Sequence, residues 1–281
     1  MQQGSMWDGL HKNIKIIKCN NYADITGYNM VGGIGGYFRG GGEIKNCNNY
    51  GSIFETGSPW SYSGVGGIAA GGEDGLIIED CVNYSDINSK VNSAIGGIVG
   101  TISDSKIINC INKGKAKNGI IGMSWFGNNI ISNCCNLGEC SNGIVGNFSS
   151  GGWDVVMELT IKNSYNIGTC TESGILGYQG IMCKSSTLNI ENCYNAGKTP
   201  NAIIKEIKKG TKTTIVTNIS NTYYDTSKSE LAGATTEGIT PLGESDIKNN
   251  EDFVNLLNNN IGEDSELRKW KIGEDGYPTF E

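Results

Sequence analysis

Proline is scarce in this chain of 281 residues, with 4 against 42 glycines, and histidine occurs once, at His11. Arginine stands only at Arg39 and Arg268. Abundant glycine without glycine at every third position excludes a collagen helix. A single histidine and no Cys-x-x-Cys pair leave zinc without three or four converging ligands, so no metal and no cofactor is expected. No apolar run approaches the roughly 18 residues a spanning helix needs, which excludes that form of membrane insertion. A formal charge of −7 and a pI near 4.9, with no Lys/Arg cluster, argue against nucleic acid or an anionic membrane as partner. The opening "MQQGSMWDGLHKN" has neither the basic nor the apolar region of a signal peptide. A repeat that starts mid-pattern is expected to belong to a longer chain.

What the chain does have is repetition. The phrase xxNCxNxG sets anchors at Cys19, Cys47, Cys81, Cys110, Cys134, Ser164, Cys193 and, degenerately, Thr222, in steps of 24 to 34 residues. Isoleucine stands three positions before every anchor: Ile16, Ile44, Ile78, Ile107, Ile131, Ile161, Ile190 and Ile219. Two positions after it stand Asn21, Asn49, Asn83, Asn112, Asn136, Asn166 and Asn195, until Tyr224 breaks the series. Between anchors a second phrase recurs: VGGIGG (31–36), VGGIAA (65–70), IGGIVG (95–100), GIIG (119–122), GIVG (143–146) and GILG (174–177).

Such a unit holds short strands and Asn/Gly corners but no room for a 12–15-residue helix, which disfavours helical repeats and β/α alternation. It cannot bury its apolar face alone, so the units are expected to stack. The predicted fold is all-β, a parallel β-solenoid of about eight coils over residues 14–225. Residues 1–13 read as a lead-in and 226–281 as a C-terminal cap. A Gly-rich sandwich or a propeller is the rival, although a propeller blade wants about 40 residues.

Stacking converts sequence positions into columns. The isoleucines form interior columns and the asparagines a structural ladder whose amides bond up and down the stack. Glycine four positions after the anchor (Gly51, Gly114, Gly138, Gly168, Gly197) is expected at a corner with φ > 0. The anchor cysteines read as small buried side chains, because Ser164 replaces one without disturbing the pattern. Cys140 and Cys170 share another column with Ile25, Ile53 and Ile87, where a disulfide is geometrically conceivable. Cys135 stands where Tyr165 and Tyr194 stand in later units and is expected to be more exposed.

The paired phrases resemble the bacterial GLUG-motif repeat, whose GI[VIL]G signature is met by GIIG, GIVG and GILG and whose companion is NCYNAG (192–197). The tail WKIGEDGYPTF (270–280) resembles the ending of many such arrays. The resemblance covers residues 14–225. The first coil is less complete than usual, and the last lacks its glycines. The family implies a secreted, surface-exposed solenoid that acts as a stalk or adhesive module. It supplies no catalytic set to carry over.

After Asp225 the repeat stops, and 226–249 reads as loop. Residues 250–260 (NEDFVNLLNNN) place Phe253, Leu256 and Leu257 on one face behind an Asn250 N-cap, with Glu251 and Asp252 in the first turn. This helix is expected near the last coil, with Trp270, Tyr277 and Phe280 beside it.

Two functions remain. A carbohydrate-active hydrolase or lyase would need paired carboxylates facing a cleft. Asp24 and Asp86, two coils apart, would stand about 9–10 Å from each other in a regular stack. An aspartate at a turn is also an ordinary backbone-bonding residue. The binding alternative rests on Tyr22, Tyr50 and Tyr84 in one column, with Trp60 in the insertion FETGSPWSYSG (54–64). These could contact a glycan or an extracellular protein of the host, or simply form a packing ladder. A non-catalytic binding or spacing module is the expected function.

Overall fold

A computed structural model describes residues 14–57, 64–91, 94–149, 152, 154–180, 183–208 and 212–281. It shows stacked parallel sheets with a helical C-terminal segment. The first sheet has eight strands, from Lys15–Ile17 through Gly127–Ser132 to Thr214–Ser220. Its registers Ile16↔Ile44, Ile78↔Ile107 and Ile190↔Ile219 are those of the isoleucine column. The second, which we call the corner sheet, is built from two-residue strands: Asn20–Asn21, Asn48–Asn49, Val82–Asn83, Ile111–Asn112, Cys135–Asn136, Tyr165–Asn166 and Tyr194–Asn195, followed by Thr222–Asp225. The third runs from Gly35–Phe38 through Ala69–Gly72 and Val145–Phe148 to Asn201–Ile207. Two three-stranded sheets flank the first three coils.

The interior is filled by Ile44, Ile78, Ile107, Ile131 and Ile161 from the first sheet, facing Ile68, Ile98, Ile120, Ile144 and Ile175 from the glycine phrases and Ile203 from AIIK (202–205). The anchor thiols lie between them. Each makes a weak bond to the carbonyl two residues back, as Cys134 does to Ser132 at 3.2 Å, and Ser164 Oγ donates in the same way to Lys162 O at 2.8 Å. Of the ten cysteines, all unpaired, only Cys19 is exposed. Cys140 and Cys170 are register partners with free thiols.

The glycines after the anchor have a different reason from the one expected. None of the five is left-handed; the left-handed corner is the residue before the anchor: Lys18, Asn46, Asp80, Asn109, Asn133, Asn163, Asn192 and Asn221, with φ from 47° to 57°. Asn and Asp tolerate that region best among side-chain-bearing residues. Glycine at the later position answers crowding, since a Cβ on Gly138 would stand 2.0 Å from Gly114 O, in the coil before it.

The stretch expected to be loop contains two strands. Leu231–Gly233 pairs with Asn201–Ile207, and Ile239–Leu242 extends the corner sheet beyond Thr222–Asp225. Strands of three and four residues carry too little periodicity to be read, and edge pairing alone decides them. Pro241 is tolerated because Ile239–Leu242 is the last strand, with no further neighbour needing its N–H.

A one-turn helix α1 (Glu244–Ile247) and then α2 (Glu251–Ile261) follow, where one helix was expected. Asn250 caps α2 by accepting the Phe253 N–H at 3.1 Å. Beyond α2, Trp270–Ile272 and Pro278–Phe280 form an antiparallel hairpin. This segment does not stop at the end of the stack. It folds back along the flank, so that Phe253, Val254, Leu257, Trp270 and Phe280 pack with Cys135, Tyr165, Tyr194 and Tyr223 of the corner sheet.

Candidate interaction face

The corner sheet has an inside and an outside because side chains alternate along a strand. The anchor and the asparagine after next point inward. Asn21 Nδ2 donates to Asn49 Oδ1 at 2.8 Å, and the chain of bonds continues through Asn83, Asn112, Asn136, Asn166 and Asn195 at 2.7–2.8 Å. The other N–H of each amide bonds the carbonyl two residues on, as in Asn112 to Gly114 O at 2.8 Å. Asn195 ends the series on Ser229 Oγ at 3.3 Å.

A second ladder, outward and at the left-handed corner, escaped the sequence reading although the recurring Asn-Cys dipeptide marks it. Asn109 donates to Asp80, Asn133 to Asn109, Asn163 to Asn133 and Asn192 to Asn163, at 2.7–3.0 Å. The C-terminal segment reads this ladder. Asn133 Nδ2 donates to Glu266 O (2.9 Å), and Asn133 Oδ1 accepts from Arg268 N (3.1 Å). Asn163 donates to Arg268 O (3.0 Å) and accepts from Trp270 Nε1 (2.7 Å), while Asn192 donates to Leu257 O (3.0 Å). The Lys162–Asp264 ion pair at 2.6 Å adds a charged clasp and holds the Asp264 carboxyl below its usual range.

This face therefore has two halves. Where the segment covers it, Tyr165, Tyr194 and Tyr223 are 3%, 0% and 6% exposed. Cys135, expected to be more open, is buried beneath the same cover, and burial pushes its thiol up to about 12. No local signal could reveal that, because the covering residues lie more than a hundred positions away. On the first three coils the residues two positions further along each turn, Tyr22, Tyr50 and Tyr84, are 73%, 40% and 41% exposed, where the covered coils carry half-buried Leu137 and Ile167. The same coils carry exposed Lys18, Asn46 and Asp80 at the corner, and an amide rung from Asn48 to Asn20 at 2.9 Å. Trp60 lies outside the described residues.

The three tyrosine rings stack on one another, with centroids 4.9 and 4.6 Å apart and planes 3° and 10° from parallel. Lys113 Nζ sits 4.9 Å over the far side of this series, at Tyr84. Both faces of Tyr50 are thus occupied by its neighbours, and what the column offers outward is ring edges. A sugar stacking flat on each ring, as a row of separate platforms, does not fit that arrangement.

Each of the two candidate acids is engaged by backbone of the next coil. Asp24 Oδ1 accepts the Ser52 N–H at 2.7 Å and Asp86 Oδ1 accepts the Lys115 N–H at 2.9 Å, so each carboxylate stitches its turn to the next coil. Among the described residues no group of three or more His, Cys, Asp or Glu side chains is placed to hold a metal. None of the helices among them is long and apolar enough to cross a membrane.

No protein-family model and no curated protein sequence matches the chain. A crystal structure of a Bacteroides ovatus protein, described as a candidate immunoglobulin A1 protease, aligns at 18% identity over 93% of this chain and 74% of that one, with a TM-score of 0.48.

Proposed function

We propose that the chain is a non-catalytic repeat module of a bacterial extracellular or cell-surface protein, serving as a stalk or adhesive scaffold. The observation that carries this reading is the inner ladder, unbroken from Asn21 to Asn195, in which each of the first six amides donates one N–H to the next coil and one to its own turn. Repeat positions are spent on joining coils, which is what an element under axial load requires. Buried amides bonded on both sides resist separation because an opened rung strands polar groups at a cost of about 1–3 kcal/mol each. The likeness of the repeat phrases to GLUG arrays supports the surface location, and the engagement of Asp24 and Asp86 by backbone N–H groups speaks for a structural use of both.

The adhesive part of the reading draws on the exposed tyrosine column, with a glycan or a host extracellular protein as partner. Product release from a panel of acidic and neutral polysaccharides tests the whole reading. None is expected. Turnover abolished by Asp24→Asn or Asp86→Asn would replace the scaffold with a carbohydrate-active enzyme.

A further inference from the structure

The exposed half of the corner-sheet face continues an interface that the chain already uses on itself. Corner-sheet registers run without a break from Asn20↔Asn48 through Val82↔Ile111 to Cys135↔Tyr165. The outward corner residues grade from exposed Lys18, Asn46 and Asp80, through half-buried Asn109, to buried Asn133, Asn163 and Asn192. That gradient follows the cover. Residues 264–270 lie across coils five and six, and two residues of this segment serve each coil: Glu266 and Arg268 at Asn133, Arg268 and Trp270 at Asn163.

The aromatic contacts show the same logic. Tyr165 and Tyr194 stack with planes 2° apart, so an incoming ring meets them at an angle. Phe280 meets Tyr165 at 61° and Phe253 meets Tyr194 and Tyr223 at 81° and 86°, in edge-to-face arrangements. Such pairs gain beyond simple area burial. Tyr22, Tyr50 and Tyr84, two positions further along their turns, also present ring edges, next to strands carrying the Asn20–Asn48 amides and with Lys113 over Tyr84. Edges and amides suit a chain with its own amides and aromatic rings. They suit a flat-stacking ligand less well.

We propose that the outer face of coils one to four, centred on Tyr22, Tyr50 and Tyr84, binds an extended, aromatic-bearing polypeptide segment of another molecule, laid along the stack as residues 264–270 are laid on coils five and six. This rests on the adhesive reading above and names its partner class. Rigid aromatic side chains at such a face are the usual anchors of peptide recognition.

The probe is a displayed library of random 12-residue peptides, panned on the full chain, with enriched sequences resynthesised and titrated by fluorescence anisotropy. Aromatic-rich peptides are expected to bind, and the triple variant Tyr22→Ala/Tyr50→Ala/Tyr84→Ala should weaken them at least tenfold. Hydrogen exchange on the unmodified chain, which does not depend on the variant folding, should show peptide-induced protection at 18–22, 46–50 and 80–84. Failure to enrich any peptide, protection elsewhere, or undiminished binding to a folded triple variant would overturn the inference. Tyrosine-dependent hits on a glycan array without peptide binding would also overturn it, while leaving the adhesive reading standing. Polysaccharide turnover would instead remove the scaffold reading itself.

Discussion

Gly119 lies against the Asn136 amide of the next coil: a Cβ at Gly119 would stand 2.4 Å from Asn136 Cγ and 1.9 Å from Gly143 O. The same relation joins Gly97 to Asn112, Gly143 to Asn166 and Gly174 to Asn195. The two repeated phrases of the sequence are therefore two sides of one contact. Glycine is present in one because the ladder amide of the other needs the space.

Gly119→Ala should accordingly destabilise by at least about 1–3 kcal/mol, the usual cost of overpacking, because backbone as well as amide must move. Gly262→Ala, at the α2 C-cap with φ 62° and ψ −131° but nothing within 4 Å of the added carbon, should cost about 1–3 kcal/mol from backbone conformation alone, less than Gly119→Ala, where neighbouring backbone must also shift. Urea unfolding of the two variants checks the order.

Asn112→Ala and Asn136→Ala, both fully buried in mid-ladder, should each cost about 1–3 kcal/mol by stranding neighbouring amides. Asn21→Ala should cost less, since Asn21 is part-exposed at the start of the series and water can replace it. Equal, near-zero shifts in urea midpoint at all three sites would refute an energetic role for the ladder.

Trp270 ties the flank segment to the stack through its ring and its bond to Asn163. Trp270→Ala should lose about 3–5 kcal/mol of local packing. Hydrogen exchange should rise through 251–280 and at Asn133, Asn163 and Asn192, with little change on the first three coils. A uniform rise across the chain would mean the segment holds the whole stack together.

Burial pushes the Cys135 and Cys193 thiols up to about 12 from the free value of 9.0. Folding thus favours their protonated forms. The associated stability is complete below pH 9 and disappears as pH rises towards 12. Melting temperature in reductant should fall over that window. At pH 8 a thiol reagent should label Cys19 quickly and the nine buried cysteines only at the rate of unfolding.

Sequence alone determined the stack. Isoleucine three residues before every anchor, asparagine two after it and the tolerated Ser164 each specify a column, because parallel in-register coils bring equal positions together at about 4.8 Å. The α2 helix was legible for a local reason as well, in the Asn250 cap and its apolar face. What tertiary structure decided was long-range or two-sided. The role of Gly138 depends on a carbonyl in the coil before it rather than on its own φ. The strand Ile239–Leu242 exists because an edge was open to it. Tyr22 is exposed whereas Leu137 and Ile167, at the same repeat position, are half-buried, because residues 244–281 fold back over one half of that face. Repeat periodicity is written in neighbouring residues, whereas the cover comes from contacts between segments that nothing in the repeat connects.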